Sequence, residues 1–362
     1  MLLISNKNKH AIFLASAMVL ASQSLAQAQS DMQDVAIDFA AYVGESKFVC
    51  GQSYESVGTA ESTITPKDFR FYISNVALID KNGEAVSLEL EQDGKWQYQN
   101  TVLLDFEDGT SACDNGTAEM NSTIVGQVPK GDYQSLQFTM GVPEELNHDD
   151  AAIAPSPLNL TSMWWNWQGG YKFLRADLET DQEIATVGEM SNIHREHNQN
   201  GEVQVNQQTT HTSNSGGHQT THQTSRQASI FKNGQQTHNQ HSSTQTTDQG
   251  HEGHEGHGSA NNNAYMIHLG STGCSESSQS SLFGCVNPNR VEVMLEDFNP
   301  ERDVVIADLG ELLAQSDLSI NQANTPNGCM SSPEDGDCMP IMQNLNLSST
   351  GSESEQYFFF VE

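Results

Sequence analysis

Residues Asp68–Ile73 read DFRFYI, the clearest β-type run in the chain. Aromatic and β-branched residues alternate with polar ones across it, the period-two signature of a strand, and the segment extends as Phe69–Ile79. Outward from it, Val35–Val43, Val86–Glu91, Thr101–Asp105, Tyr133–Met140 and Tyr171–Leu178 carry similar patterns. Turn signals such as Lys81-Asn82-Gly83, Asp93-Gly94 and Lys130-Gly131-Asp132 separate them, and no long amphipathic helix intervenes. This spacing predicts an all-β fold, an antiparallel sandwich or barrel. Beyond residue 263 the pattern resumes at Ala264–Leu269, Arg290–Leu295 and Asp303–Ala307. A short helix is expected at Leu309–Ala314 and a final buried strand at Gln356–Val361 (QYFFFV).

Between these halves the composition changes abruptly. Gly188–Asn263 is rich in Gln, Asn, Thr, Ser, Gly and His and almost lacks apolar residues. Such a stretch cannot bury enough surface to offset the entropy of ordering, so it is expected to be a disordered insertion. The apolar segments on both sides are needed for one core. Residues 29–187 and 264–362 are therefore read as a single domain carrying a long loop.

Residues 1–28 read as a secretory signal peptide: Lys7 and Lys9, the apolar run Ala11–Ala21, and an A-x-A site ending at Ala28. No other stretch is long and apolar enough to span a bilayer, so a periplasmic or secreted protein is expected. The formal charge of the chain is −32, and losing two lysines with the signal takes it to −34. Nucleic acid and anionic lipid are thereby excluded as natural partners. Six cysteines remain, an even count in an exported chain, which points to disulfides. The sequence-local pairs Cys274–Cys285 and Cys329–Cys338 each close a Gly/Ser/Pro-rich loop and leave Cys50–Cys113 as the long-range staple.

Three features carry chemical potential. The first is Met163–Phe173 (MWWNWQGGYKF), which holds three of the four tryptophans. On a strand, Trp165 and Trp167 would share a face and Trp164 would point away, with Gln168-Gly169-Gly170 marking a bend or close backbone approach. Tryptophan clusters commonly serve packing. The second is the pair of histidines outside the leader and the insertion, His148 and His268. A lone histidine is more often structural than a ligand, and spacing does not show whether the fold unites these two. The third is the insertion, with ten of the thirteen histidines, including the run His251-Glu-Gly-His254-Glu-Gly-His257. These are suited to weak Cu(II) or Zn(II) binding, or to nothing beyond a solvated linker. The run is not H-E-x-x-H, and no G-x-S-x-G or P-loop is present. A binding protein, not an enzyme, is expected.

The runs Asp68–Val76 (DFRFYISNV), Pro143–Asp149, Pro155–Thr161 (PSPLNLT), Met163–Phe173 and His268–Cys274 (HLGSTGC) resemble the MbnP family of copper-binding proteins, associated with methanobactin operons and other copper-homeostasis loci. The resemblance covers the mature chain outside Gly188–Asn263. It implies an exported, β-rich protein holding one Cu(I), in which the first tryptophan of W-x-W, here Trp165, is oxidised to kynurenine by a partner diheme enzyme of the cytochrome c peroxidase superfamily. It further implies two histidine ligands, matched here by neighbouring motif to His148 and His268, beside Trp167 of the W-x-W; Met163 offers an extra thioether, although packing in the core is the commoner role for such a residue. The competing expectation is an exported β-sandwich module that uses its Trp/Tyr surface for carbohydrate or protein recognition.

Overall fold

The computed structural model describes residues 31–114, 116–187, 263–276, 283–347 and 356–362, with the backbone of strands inside 194–248. The expected signal peptide and His251, His254 and His257 lie outside the described residues. So does half of 188–263, the expected insertion, where strand backbone is described mainly at Val203–Ser215, paired antiparallel with His218–Ile230.

The strands that build the body are, in chain order, β1 (Met32–Val43), β2 (Ser62–Asp80), β3 (Thr101–Asp105), β4 (Thr123–Pro129), β5 (Tyr133–Met140), β6 (Trp164–Asn166), β7 (Gly170–Thr180), β8 (Ala264–Gly270), β9 (Thr272–Glu276), β10 (Phe283–Asn287), β11 (Val291–Leu295), β12 (Val304–Asp308) and β13 (Phe359–Val361). They form the expected sandwich-like arrangement, with no closed barrel among the described residues. One sheet runs β13–β12–β1–β4, and its β1–β12 pairing is parallel. The other runs β11–β5–β2–β7–β8 and is built on β2, the long strand that contains DFRFYI. The C-terminal half of β2 pairs with β5, its N-terminal half with β7, and its middle with β3.

β1 shows why two sheets form. Val35, Ile37, Phe39, Ala41 and Val43 are buried at alternate positions and share one core with Phe69, Phe71 and Ile73 of β2. Phe138 and Phe359 meet edge to face at 5.1 Å between ring centroids, joining the sheets at the centre. Asp308 then ends β12 and caps the short helix Leu309–Leu313, accepting from the Gly310 amide at 2.7 Å.

The segments flanking the insertion meet in one sheet: β7 and β8 are antiparallel neighbours. At their ends the Thr180 amide donates to the Asn263 carbonyl, and Asn263 Nδ2 donates back to the Thr180 carbonyl at 3.1 Å. All three expected disulfides are present: Cys50–Cys113, Cys274–Cys285 and Cys329–Cys338.

The expected strand Val86–Glu91 is instead two. Ala85–Ser87 pairs with β2 and Glu89–Leu90 with β4, so the chain passes from one sheet to the other around buried Leu88. β4 itself and the helix Cys338–Asn344 have no counterpart among the expected elements. Gly126 interrupts the apolar pattern of β4, yet the sheet needs it. A side chain there would meet the Glu89 carbonyl at 2.6 Å.

β2 also departs from a half-solvated strand, because Asp68, Arg70 and Tyr72 are buried as completely as the apolar residues between them. On this outer face a row of charges crosses the sheet. Glu107 pairs with Arg70 at 3.2 Å, Arg70 binds Asp68, Arg175 reaches Asp68 at 3.1 Å, and Arg175 Nε donates to Asp177 at 2.9 Å. The row closes on His268, 2.7 Å from Asp177.

Asp105, beside this row, has one carboxylate oxygen buried without a hydrogen bond. Burial pushes its carboxyl up to about 8 against the opposing pull of Arg70. Between pH ~4 and ~8 the folded chain holds a proton that the unfolded chain has released, so stability falls as pH rises through that window. Asp105→Asn keeps the shape of the neutral acid and should flatten this decline, raising the melting temperature near pH 8 with little change near pH 4. Thermal unfolding followed by circular dichroism across the range checks it; parallel declines in both proteins would show that Asp105 titrates normally.

Candidate metal centre

Residues 141–163 cross the outer face of the second sheet before the chain returns as β6. Leu146, Ala151, Leu158 and Met163 bury themselves against Tyr72, Leu103, Tyr171 and Phe173, making a second, smaller core. Two phenols staple the crossing down. Tyr72 donates to the Pro157 carbonyl at 2.9 Å and Tyr171 to the Leu158 carbonyl at 2.7 Å.

The crossing delivers the aromatic stretch. β6 pairs with β7, and Asn166 Oδ1 accepts from the amides of Gln168 and Gly169 at 2.9 and 2.8 Å to make the expected bend. Gly170 completes it at φ +73°, with the Asn147 carbonyl 2.5 Å from where a Cβ would stand. The tryptophans then divide. Trp164 packs on the smaller core. Trp165 lies against Gly270 of β8, where a Cβ would come within 2.5 Å of its ring. Strand alternation stops at Asn166, so Trp167 is placed by the turn and is 52% exposed. Met163 is fully buried in the smaller core.

His148 sits in the turn that follows Pro143. Its Nδ1 lies 3.0 Å from the Trp167 carbonyl, which only accepts, so Nδ1 carries the proton and Nε2 the lone pair. Buried Asn147 supports this tautomer, its Nδ2 donating to His148 Nε2 at 3.2 Å while its Oδ1 accepts from the Tyr171 amide. Cys285 Sγ is 3.5 Å from the same Nε2.

His268 is held the other way round. On β8, Tyr265, Ile267 and Leu269 enter the main core, so His268 points to the outer face. Its Nε2–H donates to Asp177, leaving the lone pair on Nδ1. Burial pulls the imidazole below its usual range, outweighing the upward influence of Asp177. Burial raises Asp177 in turn, but the hydrogen bond from His268, with the charge of Arg175 and its hydrogen bond, outweighs it and holds the carboxyl below its usual range. The pair is therefore a neutral imidazole on a carboxylate, the arrangement that raises the basicity of a metal-binding nitrogen.

Trp165, Gln168, Gly169, Ser271, Cys274 and Met330 help to line an open groove of about 540 Å³. Neither imidazole lines it. His148 adjoins its wall through the Cys274–Cys285 bridge, and His268 lies two residues from the Gly270 seat of Trp165. A cavity of similar volume around Glu45, Glu55 and Glu311 offers no imidazole or sulfur side chain. Residues not anticipated here are Asp177, Asn147, Gly270 and Met330. Met330 reaches the groove because Ser331 clamps β8, accepting from the Gly270 amide and donating to the His268 carbonyl.

The profile of the MbnP family matches residues 32–248, which include His148 and Trp165 and stop short of His268. The chain belongs to the MbnP family. Its fold is similar to that of MbnP from Methylosinus trichosporium, with a TM-score of 0.62 and 22% identity over 91% of this chain and 98% of that one. No curated protein matches. Among the described residues no helix is long and apolar enough to cross a membrane.

The fit of Trp165 on Gly270 is testable. Gly270→Ala leaves no room for the ring and also meets the Tyr171 carbonyl at 2.6 Å. It should cost about 1–3 kcal/mol and shift tryptophan emission to the red as Trp165 is displaced. Unchanged emission and stability would show that the ring is not seated there.

Proposed function

We propose that this protein is an exported, non-catalytic copper carrier that holds one Cu(I) for acquisition, storage or delivery. His148, His268 and Trp165, the last converted to kynurenine by a diheme peroxidase-like partner, are the residues that hold it. Family membership supports copper as the cargo. The observation that carries the site is the opposite tautomers of the two imidazoles: the Trp167 carbonyl and Asp177 fix one ring nitrogen each, and the other carries the lone pair, which on His148 copper would take over from the Asn147 amide.

The donor set fits the ion. Cu(I) is a soft closed-shell cation content with few nitrogen or sulfur ligands. His268 reaches it uncharged, because burial opposes its protonation. Trp165 as an indole has only a donor N–H; opened to kynurenine, it offers an aryl amine and a ketone. Trp165, and not Trp164, is the residue suited to this change, because it lines the groove while Trp164 is packed into the smaller core. Leu146, Tyr171 and Phe173 keep water from the sheet beneath. Weak Cu(II) or Zn(II) binding by the insertion would be additional.

The exposure of Trp167 favours the alternative, a recognition surface for carbohydrate or protein. One exposed ring beside two seated ones makes a poor platform, however.

Chain made with its partner enzyme should carry kynurenine at Trp165 and an intact Trp167, read by tandem mass spectrometry. Trp165→Phe should fold normally and lose tight copper binding, and His148→Ala and His268→Ala should each weaken it. Asp177→Asn should reduce affinity by about 10–100-fold through the orientation of His268. Competition titrations with a Cu(I) chelator measure all four. Full copper binding by the double histidine variant would overturn the ligand assignment, and unmodified Trp165 in copper-loaded native protein would overturn the kynurenine.

A further inference from the structure

A cluster that the copper reading uses only in part lies beside the groove. One potential ligand atom from each of His148, Cys274 and Cys285 lies within 4.8 Å of the others. We propose that these three residues form a second, redox-gated site for Cu(I), closed while the cysteines are bridged and opened when the bridge is reduced. The proposal shares His148 with the reading above, so the one Nε2 lone pair serves one site at a time, but it depends on neither Trp165 nor His268.

Four features of the structure support it. First, the His148 lone pair is already aimed. Nδ1 is engaged by the Trp167 carbonyl, and Nε2, which accepts from Asn147 Nδ2 at 3.2 Å until a metal displaces that bond, stands 3.5 Å from Cys285 Sγ. Second, the two cysteines are directly opposed in the β9–β10 ladder, Cys274 facing Cys285. The backbone therefore keeps the sulfurs adjacent once their bond is cut. They need only separate to roughly 3.8 Å to stand as two thiolates about 2.3 Å from one ion. Third, access is selective. Both Cys274 and Cys285 are half-buried, whereas each of the other bridges contains a fully buried cysteine, Cys113 in one and Cys329 in the other. A reductant reaches this bridge first. Fourth, Cys274 lines the open groove, which supplies a route for the ion and places the Met330 thioether along the way.

The chemistry balances with a dithiol as the reductant. Its thiolate attacks one sulfur, the S–S bond breaks through a mixed disulfide, and two protein thiols form as the dithiol closes to its own disulfide. Cu(I) then displaces one proton from each thiol and forms two metal–sulfur bonds, with His148 Nε2 as the third donor. Two thiolates and an imidazole suit a soft monovalent ion. A bridged disulfide offers no thiolate and binds none.

The test compares the full chain before and after mild anaerobic reduction, with the reductant removed and Cu(I) then added against a competing chelator. In protein made without the partner enzyme, whose Trp165 is still an indole, the reduced chain should bind one tight Cu(I) that the bridged chain does not. That ion should show sulfur scattering in X-ray absorption and a thiolate charge-transfer band in the ultraviolet. The extra ion should survive in Trp165→Phe and His268→Ala, even if those variants show that the copper reading above is wrong. It should vanish in the Cys274→Ser/Cys285→Ser variant and weaken about 10-fold or more in His148→Ala with the sulfur signature retained. Free thiols mapped at 274 and 285 with no extra copper would overturn the proposal without recourse to a variant. So would the same extra copper in the double serine variant.

Discussion

The buried row of charges on the outer face of the second sheet constrains everything above it. Glu107, Arg70, Asp68, Arg175 and Asp177 alternate in sign, and each sits where removing its neighbour would strand an unpaired charge out of water. Breaking such a buried pair typically costs about 3–5 kcal/mol. Four of the five lie on the central strands β2 and β7, so the row ties side-chain position to strand register. A slip by one residue would carry Asp68 and Arg70 into the apolar core. His268 inherits this rigidity through Asp177. Its imidazole is oriented by an array that spans the sheet, not by a single bond.

The same face explains the second core. A sheet that carries charged residues on its outer side normally leaves them in water, yet here the crossing chain from Val142 to Met163 covers them. It does so by adding its own apolar residues next to the charges, against Tyr72, Tyr171 and Phe173, and by closing on two phenolic hydrogen bonds. Lys172 registers this dryness. Burial, with the nearby charge of Arg175, draws its ammonium down to about 8, and it donates to the Ser162 carbonyl of the crossing chain. The result is a rigid floor under Trp165 and His268, with His148 supplied from above by a turn that Asn147 anchors to β7.

Much of the frame was legible in the residues. The alternation in Asp68–Ile73 and Val35–Val43 is a local property, and so is the placement of two cysteine pairs close together around Gly/Ser/Pro-rich stretches. The abrupt loss of apolar residues after Val187 is local too. What escaped was relational. Val86–Glu91 reads as one strand because nothing in six residues says that its halves belong to different sheets. Asp177 and His268 are 91 positions apart, and an abundance of acids hides the one that matters. Trp165 and Gly270 advertise no partnership until β6 and β8 are laid beside β7. Met330 reaches the groove through a serine clamp that has no sequence signature at all. His148 and His268 could be named as candidates, but their opposite tautomers follow only from the carbonyl and the carboxylate that hold them.

The clamp between Thr180 and Asn263 has a consequence for how the chain assembles. Strands β7 and β8 are immediate neighbours, a pairing that a two-residue turn would close locally. Here the paired ends are 83 residues apart in sequence. Treated as a flexible loop, closing that span costs about 3 kcal/mol more than closing a tight turn, and the cost grows only with the logarithm of length. The equilibrium fold is thus almost indifferent to how long the insertion becomes, whereas the order of events is not. The β2–β5 ladder forms across shorter separations than either β2–β7 or β7–β8, so β7 and β8 are the later additions to the sheet. Asp177 and His268 arrive with these two strands. The metal-binding half of the molecule and the charged floor beneath it are therefore completed together.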